Sequence, residues 1–269
     1  MFDLKKDTMN DDNSNAQPIS PPRKRGIYIL PNLFTTAALF SGFYAIINAI
    51  QQDFKTAAIA VFIAMIWDML DGRIARMTNT QSAFGAEYDS LSDMISFGVA
   101  PALLMYQWSL VNLGELGWLA SFVYTAATAL RLARFNTQVS TMDKAYFQGL
   151  ASPAAAALIA GTVWMGNFYQ IQGITITLFT FPLTVLAGIL MVSNIRYRSF
   201  KDLDLKGKIP FIKVLFIVLI FVFVAVKPSH TLFFVFFSYA LSGPIMTLVE
   251  LNKRRLQRSK TTDSSNPPT

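Results

Sequence analysis

Four aspartates stand close together in the segment WDMLDGRIARMTNTQSAFGAEYDSLSD, residues 67–93. Asp68, Asp71, Gly72, Ala75 and Arg76 fall at i, i+3, i+4, i+7 and i+8, one continuous face of a helix. After a short connection, Gly85, Asp89 and Asp93 fall at i, i+4 and i+8, again one face. Two helices joined by a turn can point both stripes at one another, so that four carboxylates converge. Such a group of like charges in low dielectric requires protons or shared cations. An all-oxygen donor set favours hard divalent ions such as Mg²⁺, Mn²⁺ or Ca²⁺. Two ions bridged by carboxylates suit phosphoryl chemistry. Gly72, Ala75 and Gly85 lack bulk on the same faces and leave room for a flat or phosphate-bearing ligand. Arg76 extends the stripe by one turn and can grip a phosphate.

Other chemistries are excluded by composition. The chain of 269 residues has no cysteine and a single histidine, His230. Thiolate catalysis, cysteine metal sites and histidine clusters are therefore ruled out, and a Ser-His-Asp triad is disfavoured. The net charge of +7 is read as membrane topology and attraction to anionic lipid, with no nucleic acid as partner.

The elements that must position the aspartates are membrane helices. The chain is 53% hydrophobic and 14% charged, with mean hydropathy +0.40. Its apolar residues fall in blocks of roughly 20, the length that crosses a bilayer core. The expected class is all-α, a polytopic helical bundle of about eight spans: 27–49, 54–73, 91–112, 115–136, 149–168, 171–193, 209–226 and 230–250. With an even number of spans both termini share one side. That side collects 21 of the 23 Lys and Arg residues, leaving only Lys55 and Lys227 opposite. The excess marks it as cytoplasmic. Residues 1–26 read as a disordered cytoplasmic tail, 27–250 as the membrane domain and 251–269 as a basic cytoplasmic tail. In the second span the apolar run Ala57–Trp67 has 11 residues, too short to cross. The helix must continue through Asp68 and Asp71, which places them in or at the edge of the membrane, where an unpaired charge is expensive.

The aspartate segment resembles the signature of the CDP-alcohol phosphatidyltransferase family, D-x-x-D-G-x-x-A-R, about eight residues, then G-x-x-x-D-x-x-x-D. Here it reads DMLDGRIAR, MTNTQSAF and GAEYDSLSD without departure. The resemblance implies a CDP-linked lipid donor, an alcohol acceptor and CMP as leaving group. It also implies two ions, Mg²⁺ or Mn²⁺, held by Asp68, Asp71, Asp89 and Asp93, with Asp93 as the base as well. Gly72, Ala75 and Gly85 would give space to the nucleotide, and Arg76 would contact the donor phosphates. YILPNLFTTAALFSGFYAI, DMISFGVAPALLMYQW, LRLARFNTQ and YFQGLASPAAAAL resemble the bacterial serine-accepting members. These imply CDP-diacylglycerol and L-serine as substrates, a homodimer, and a bacterial inner (cytoplasmic) membrane with the site facing the cytoplasm. The similarity covers roughly residues 27–200. One departure is GLAS at 149–152, where a proline is expected after GL.

Secondary sites follow. The family places donor contacts at PNLFT, so Asn32 and Thr35 are expected there, with Ser82 beside them in the connecting loop. Arg131 and Arg134 lie three apart on one face at the cytoplasmic end of the fourth span. A guanidinium fork suits a carboxylate, so either is expected to bind the serine carboxylate, with Lys144 as a third possibility. The basic loop RYRSFKDLDLKGK and the segment KRRLQRSK are expected to set topology and attract anionic head groups. His230, in the opposite-side KPSH turn, is assigned no role. The motif alone leaves the acceptor open among serine, glycerol phosphate, inositol phosphate and choline. Intramembrane carboxylates also mark cation transporters, although those place them near the midplane.

Overall fold

The computed structural model describes residues 29–78, 80–138, 146–198 and 211–263. They form an all-helical bundle with one very short β-ladder. Helix α1 spans Ile29–Ile50, α2 Phe54–Met77, α3 Ala83–Asp93, α4 Ala100–Trp108 and α5 Glu115–Gln138. Helices α6 Ser152–Phe168, α7 Thr177–Val192, α8 Phe211–Val226 and α9 Pro228–Asp263 follow. Strands β1 (Tyr146–Gln148) and β2 (Arg196–Arg198) pair antiparallel, with Phe147 opposite Tyr197. The sequence gives no warning of this ladder, since each strand has only three residues.

Seven of the expected spans each overlap one helix, and the third is shared by the end of α3, a π-helical turn and α4. Among the described residues four stretches are long and apolar enough to cross a membrane: Pro31–Ile50, Glu115–Thr137, Gly173–Val192 and Pro228–Val249. Helix α6, of 17 residues, reaches only about 25 Å at 1.5 Å per residue, and α8 has 16 described residues. Helix α2 is long enough, but charge interrupts its C-terminal half. Helix α9 runs on to Asp263, so the backbone of 251–263 continues the last helix.

The third span is one rod with a defect in it. Between α3 and α4 the chain takes a π-helical turn, Met94–Val99, directly after Asp93. Pro101 is the cause. It has no N–H for the carbonyl four residues back, and its ring crowds that carbonyl. That carbonyl belongs to Phe97, and the Tyr124 hydroxyl of α5 donates to it across 3.0 Å. Pro244 produces the same situation in α9. The carbonyl four residues back is that of Ala240, and the Tyr197 hydroxyl donates to it at 3.0 Å. Two fully buried tyrosines thus each answer a carbonyl that a proline has released.

Small residues set how closely the helices approach. Helix α6, SPAAAALIAGTVWMGNF, is buried along nearly its whole first three turns and forms the axis of the bundle. Helices α2, α4, α7 and α9 pack around it. Phe62 of α2 meets Trp164 of α6 and Phe236 of α9, which joins these three helices through one aromatic cluster. Helix α1 lies so close to the π turn that a Cβ on Gly42 would stand 2.7 Å from the Ser96 Cα. Ser96 and Ser92 donate to the Ala38 and Thr35 carbonyls of α1, at 3.0 and 3.1 Å. The rod carrying Asp89 and Asp93 is therefore bolted to α1 on one side while its aspartate stripe faces α2.

Candidate active site

The C-terminal end of α2 and the α3 rod bring the two sequence stripes together. One carboxylate oxygen each from Asp68, Asp71 and Asp89 lies within 4.8 Å of the others. Asp68 is also within hydrogen-bonding reach of Asp93, and Asp71 of Asp89. Each pair crosses from one helix to the other. Two carboxylates hold such a separation only with a proton or a cation between them. The donors are all oxygen, on two braced helices, so the residues fit a hard divalent ion. Asp71 is the most enclosed of the three that converge, 5% exposed. Its Oδ2 accepts from Thr35 Oγ1 at 2.8 Å.

Thr35, one of the candidate donor contacts, is buried, with its hydroxyl directed at Asp71 and a second, longer contact to the Pro31 carbonyl. Asn32 and Ser82 sit together at the rim. Ser82 caps α3, its Oγ accepting from the Gly85 N–H at 3.0 Å. A Cβ on Gly85 would stand 3.6 Å from Asn32 Oδ1, so the three residues share one small area. Gly72 is different from a packing glycine. A Cβ there would meet only the Arg76 guanidinium, at 3.6 and 3.9 Å. No other described residue comes within 4 Å of that space, which leaves it open beside Asp71 for a ligand, with Arg76 exposed next to it.

The two arginines of α5 have different surroundings. Arg134 donates to the Val192 carbonyl at the end of α7, to Asn194 Oδ1 at 2.7 Å, and to Gln148 Oε1 of β1. It ties the α5 end to the β-ladder and is occupied in doing so. Arg131 points inward instead. Its Nη1 donates to Ser152 Oγ, at the start of α6, across 3.0 Å. It lies within electrostatic reach of Asp93 and of Tyr239 on α9. Its Nε–H is buried and has no hydrogen-bond partner among the described residues. Lys144 lies outside the described residues.

Several contributors escaped sequence reasoning. Tyr88 pairs with Thr36 at 2.9 Å and Ser90 with Asn136 at 3.0 Å, bracing the residues on either side of Asp89 against α1 and α5. Ser92 and Tyr239 were not singled out either. Ser92 had a signal, because a serine beside Asp93 at the entry to an apolar stretch needs an acceptor when buried. Tyr239 had none, since the stretch around it, TLFFVFFSYAL, is almost entirely apolar. The GLAS departure proves harmless in the backbone. Ala151 precedes α6 with φ −61° and ψ 135°, which is the φ a proline ring imposes.

Comparison with known proteins agrees with this geometry. Residues 28–192 match the family profile described as CDP-alcohol phosphatidyltransferase. A Helicobacter pylori protein named CDP-diacylglycerol–serine O-phosphatidyltransferase is 39% identical over 244 residues, 90% of this chain and 99% of that protein. A protein of the same name from Methanocaldococcus jannaschii is 39% identical over 142 residues, 53% of this chain and 63% of that protein. One from Saccharomyces cerevisiae is 35% identical over 179 residues, 56% of this chain and 64% of that protein. By that profile match over more than half of its length and by these relatives, the chain belongs to the CDP-alcohol phosphatidyltransferase family.

Proposed function

We propose that this membrane protein transfers the phosphatidyl group of CDP-diacylglycerol to the hydroxyl of L-serine and releases CMP. The observation that carries the chemistry is the convergence of the Asp68, Asp71 and Asp89 carboxylates with Asp93 beside them. The relatives that share most of the chain's length supply serine as acceptor.

Asp68, Asp71, Asp89 and Asp93 would hold two ions, Mg²⁺ or Mn²⁺, which when bound neutralise the pyrophosphate of the donor. Asp93 takes the proton of the serine hydroxyl. The serine oxygen then forms a bond to the lipid-side phosphorus, and the bond from that phosphorus to the CMP oxygen breaks. Gly72 and Ala75 leave space for the nucleotide along α2, and Arg76 reaches the donor phosphates. Gly85, Asn32 and Ser82 form the rim that the donor passes. Thr35 acts from behind, by orienting Asp71. Arg131 binds the serine carboxylate. Its unpaired N–H near Asp93 supports that choice over Arg134, whose donors are engaged elsewhere.

The site belongs on the cytoplasmic face of a bacterial inner membrane, with eight spans and both termini inside. The Lys and Arg partition supports this orientation. Residues 27–250 then form the membrane domain between two tails, the basic segments facing anionic lipid. The resemblance is the support for a homodimer.

The test is purified protein with CDP-diacylglycerol, Mg²⁺ or Mn²⁺, and labelled acceptors offered singly. Labelled lipid from serine, with equimolar CMP, is the expected result. Labelled lipid from glycerol phosphate or inositol phosphate instead would move the acceptor. Scrambling of lipid phosphate between CMP and donor without serine would replace direct attack by a phosphatidyl-enzyme.

A further inference from the structure

Arg131 stands in an electrostatically unfinished position. It is largely enclosed where α5, α6 and α9 meet, and one of its N–H groups is buried without an acceptor. A buried donor left unmade is costly, the more so on a charged group. Its Nη1 is held by Ser152 Oγ, and Ser152 is fully buried in the first turn of α6. A helix start carries partial positive charge, so a cation beside it is disfavoured. Asp93 is the acidic group that faces this cation, and Asp93 is itself shared with Asp68. A guanidinium and a helix start side by side, with a donor to spare, form a place completed by a small anion.

The third wall comes from α9. Tyr239 lies within electrostatic reach of Arg131, and its ring packs on Tyr197 with centroids 5.5 Å apart. Tyr197 is immobilised. It pairs through β2 with β1, donates to the Ala240 carbonyl, and has its ring against Gly243, where a Cβ would stand 2.4 Å from it. Tyr197 is therefore held against the α9 segment that carries Tyr239. Residue 239 lies well beyond the stretch, 28–192, that matches the family profile.

We infer that Ser152 and Tyr239 are specificity-determining residues of the acceptor subsite: together with Arg131 they form a cup that recognises the carboxylate of an amino-acid alcohol. Ser152 orients the guanidinium, and Tyr239 closes the cup from α9. With Arg134 engaged by Val192, Gln148 and Asn194, one guanidinium is left to the cup, which then matches a monoanionic carboxylate rather than a phosphate dianion. This rests on the serine-transferase reading and adds two residues to it.

The test compares L-serine with serinamide, in which the carboxylate is neutral, for wild type, Tyr239→Phe and Ser152→Ala. Tyr239→Phe keeps the ring contact with Tyr197 and removes only the hydroxyl. Ser152→Ala removes the hold on Arg131. The expected result is that wild type prefers serine over serinamide, and that each variant raises the KM for serine about tenfold with a smaller effect on serinamide, as for loss of one hydrogen bond in a charged site. An unchanged serine-to-serinamide ratio in both variants overturns the cup. So does an equal loss on both substrates, which marks a structural role. Wild type that makes no lipid from serine but does from another alcohol is a different outcome, since it sinks the serine reading before the cup is tested.

Discussion

Thr35 Oγ1 donates to Asp71 Oδ2 across 2.8 Å, and the carbonyl of the same Thr35 accepts from Ser92 Oγ at 3.1 Å. One residue of α1 therefore touches both aspartate helices, α2 through Asp71 and the α3 rod through the neighbour of Asp93. The distance between the two stripes is set by this third helix rather than by the carboxylates, which repel one another. Thr35→Val keeps the shape and removes the hydroxyl. The ion concentration giving half-maximal CMP release should rise about tenfold, as for one lost hydrogen bond to a charged group. A titration with Mg²⁺ or Mn²⁺ measures it, and an unchanged midpoint would remove Thr35 from the support of the site.

Gly72 separates ligand space from packing space. A Cβ there meets nothing closer than the Arg76 guanidinium at 3.6 Å. Gly72→Ala should therefore leave the thermal midpoint unchanged or raise it, because Ala is about 1 kcal/mol better than Gly within a helix. It should at the same time raise the KM for CDP-diacylglycerol. Loss of stability together with activity would mean that Gly72 serves helix packing.

Much of the site was legible because it is local in sequence. Asp68, Asp71 and Arg76 share one helix, Asp89 and Asp93 the next, and helical spacing alone orients each set. What could not be read is what comes from distant chain. Ser152 and Tyr239 approach Arg131 only once α6 and α9 have packed on one another beside the end of α5. Arg131 and Arg134 look equivalent in RLARFN, and only the partners across the bundle separate them. The π turn after Asp93 could have been anticipated from Pro101, but the Tyr124 that makes it tolerable lies 27 residues beyond the released carbonyl.

Tyr124→Phe tests that turn. It leaves the buried Phe97 carbonyl without its donor and should cost about 1–3 kcal/mol. The cost should appear as a lower thermal midpoint of the detergent-solubilised protein. Since the turn begins at the residue after Asp93, kcat should fall as well. A midpoint equal to that of the unchanged protein would mean that the carbonyl finds another donor.

Ala151→Pro should be tolerated. The backbone there already has φ −61°, and a proline at a compatible position gains about 0.4–1 kcal/mol by restricting the unfolded chain. The expected outcome is an equal or higher thermal midpoint with normal activity. A clear loss of stability would show that the Ala151 N–H is needed in a hydrogen bond.

Asp93 and Asp89 separate catalysis from charge balance. Asp93→Asn keeps size and most hydrogen bonding but cannot accept the serine proton. Turnover should fall by a factor of about 10²–10⁴, the range for loss of a general base, with the protein still folded. Near-normal turnover would remove the base assignment. Asp89→Asn probes the carboxylate cluster itself. In excess Mg²⁺ or Mn²⁺ the unchanged protein should melt at the higher temperature, because it binds the ion better and ligand binding stabilises the folded state. In a chelator the order should reverse, because removing one of several facing carboxylates relieves repulsion that no cation then offsets. Thermal melts of both proteins with ion and with chelator give the four midpoints. If the order is the same in both conditions, the cluster is not held together by cations.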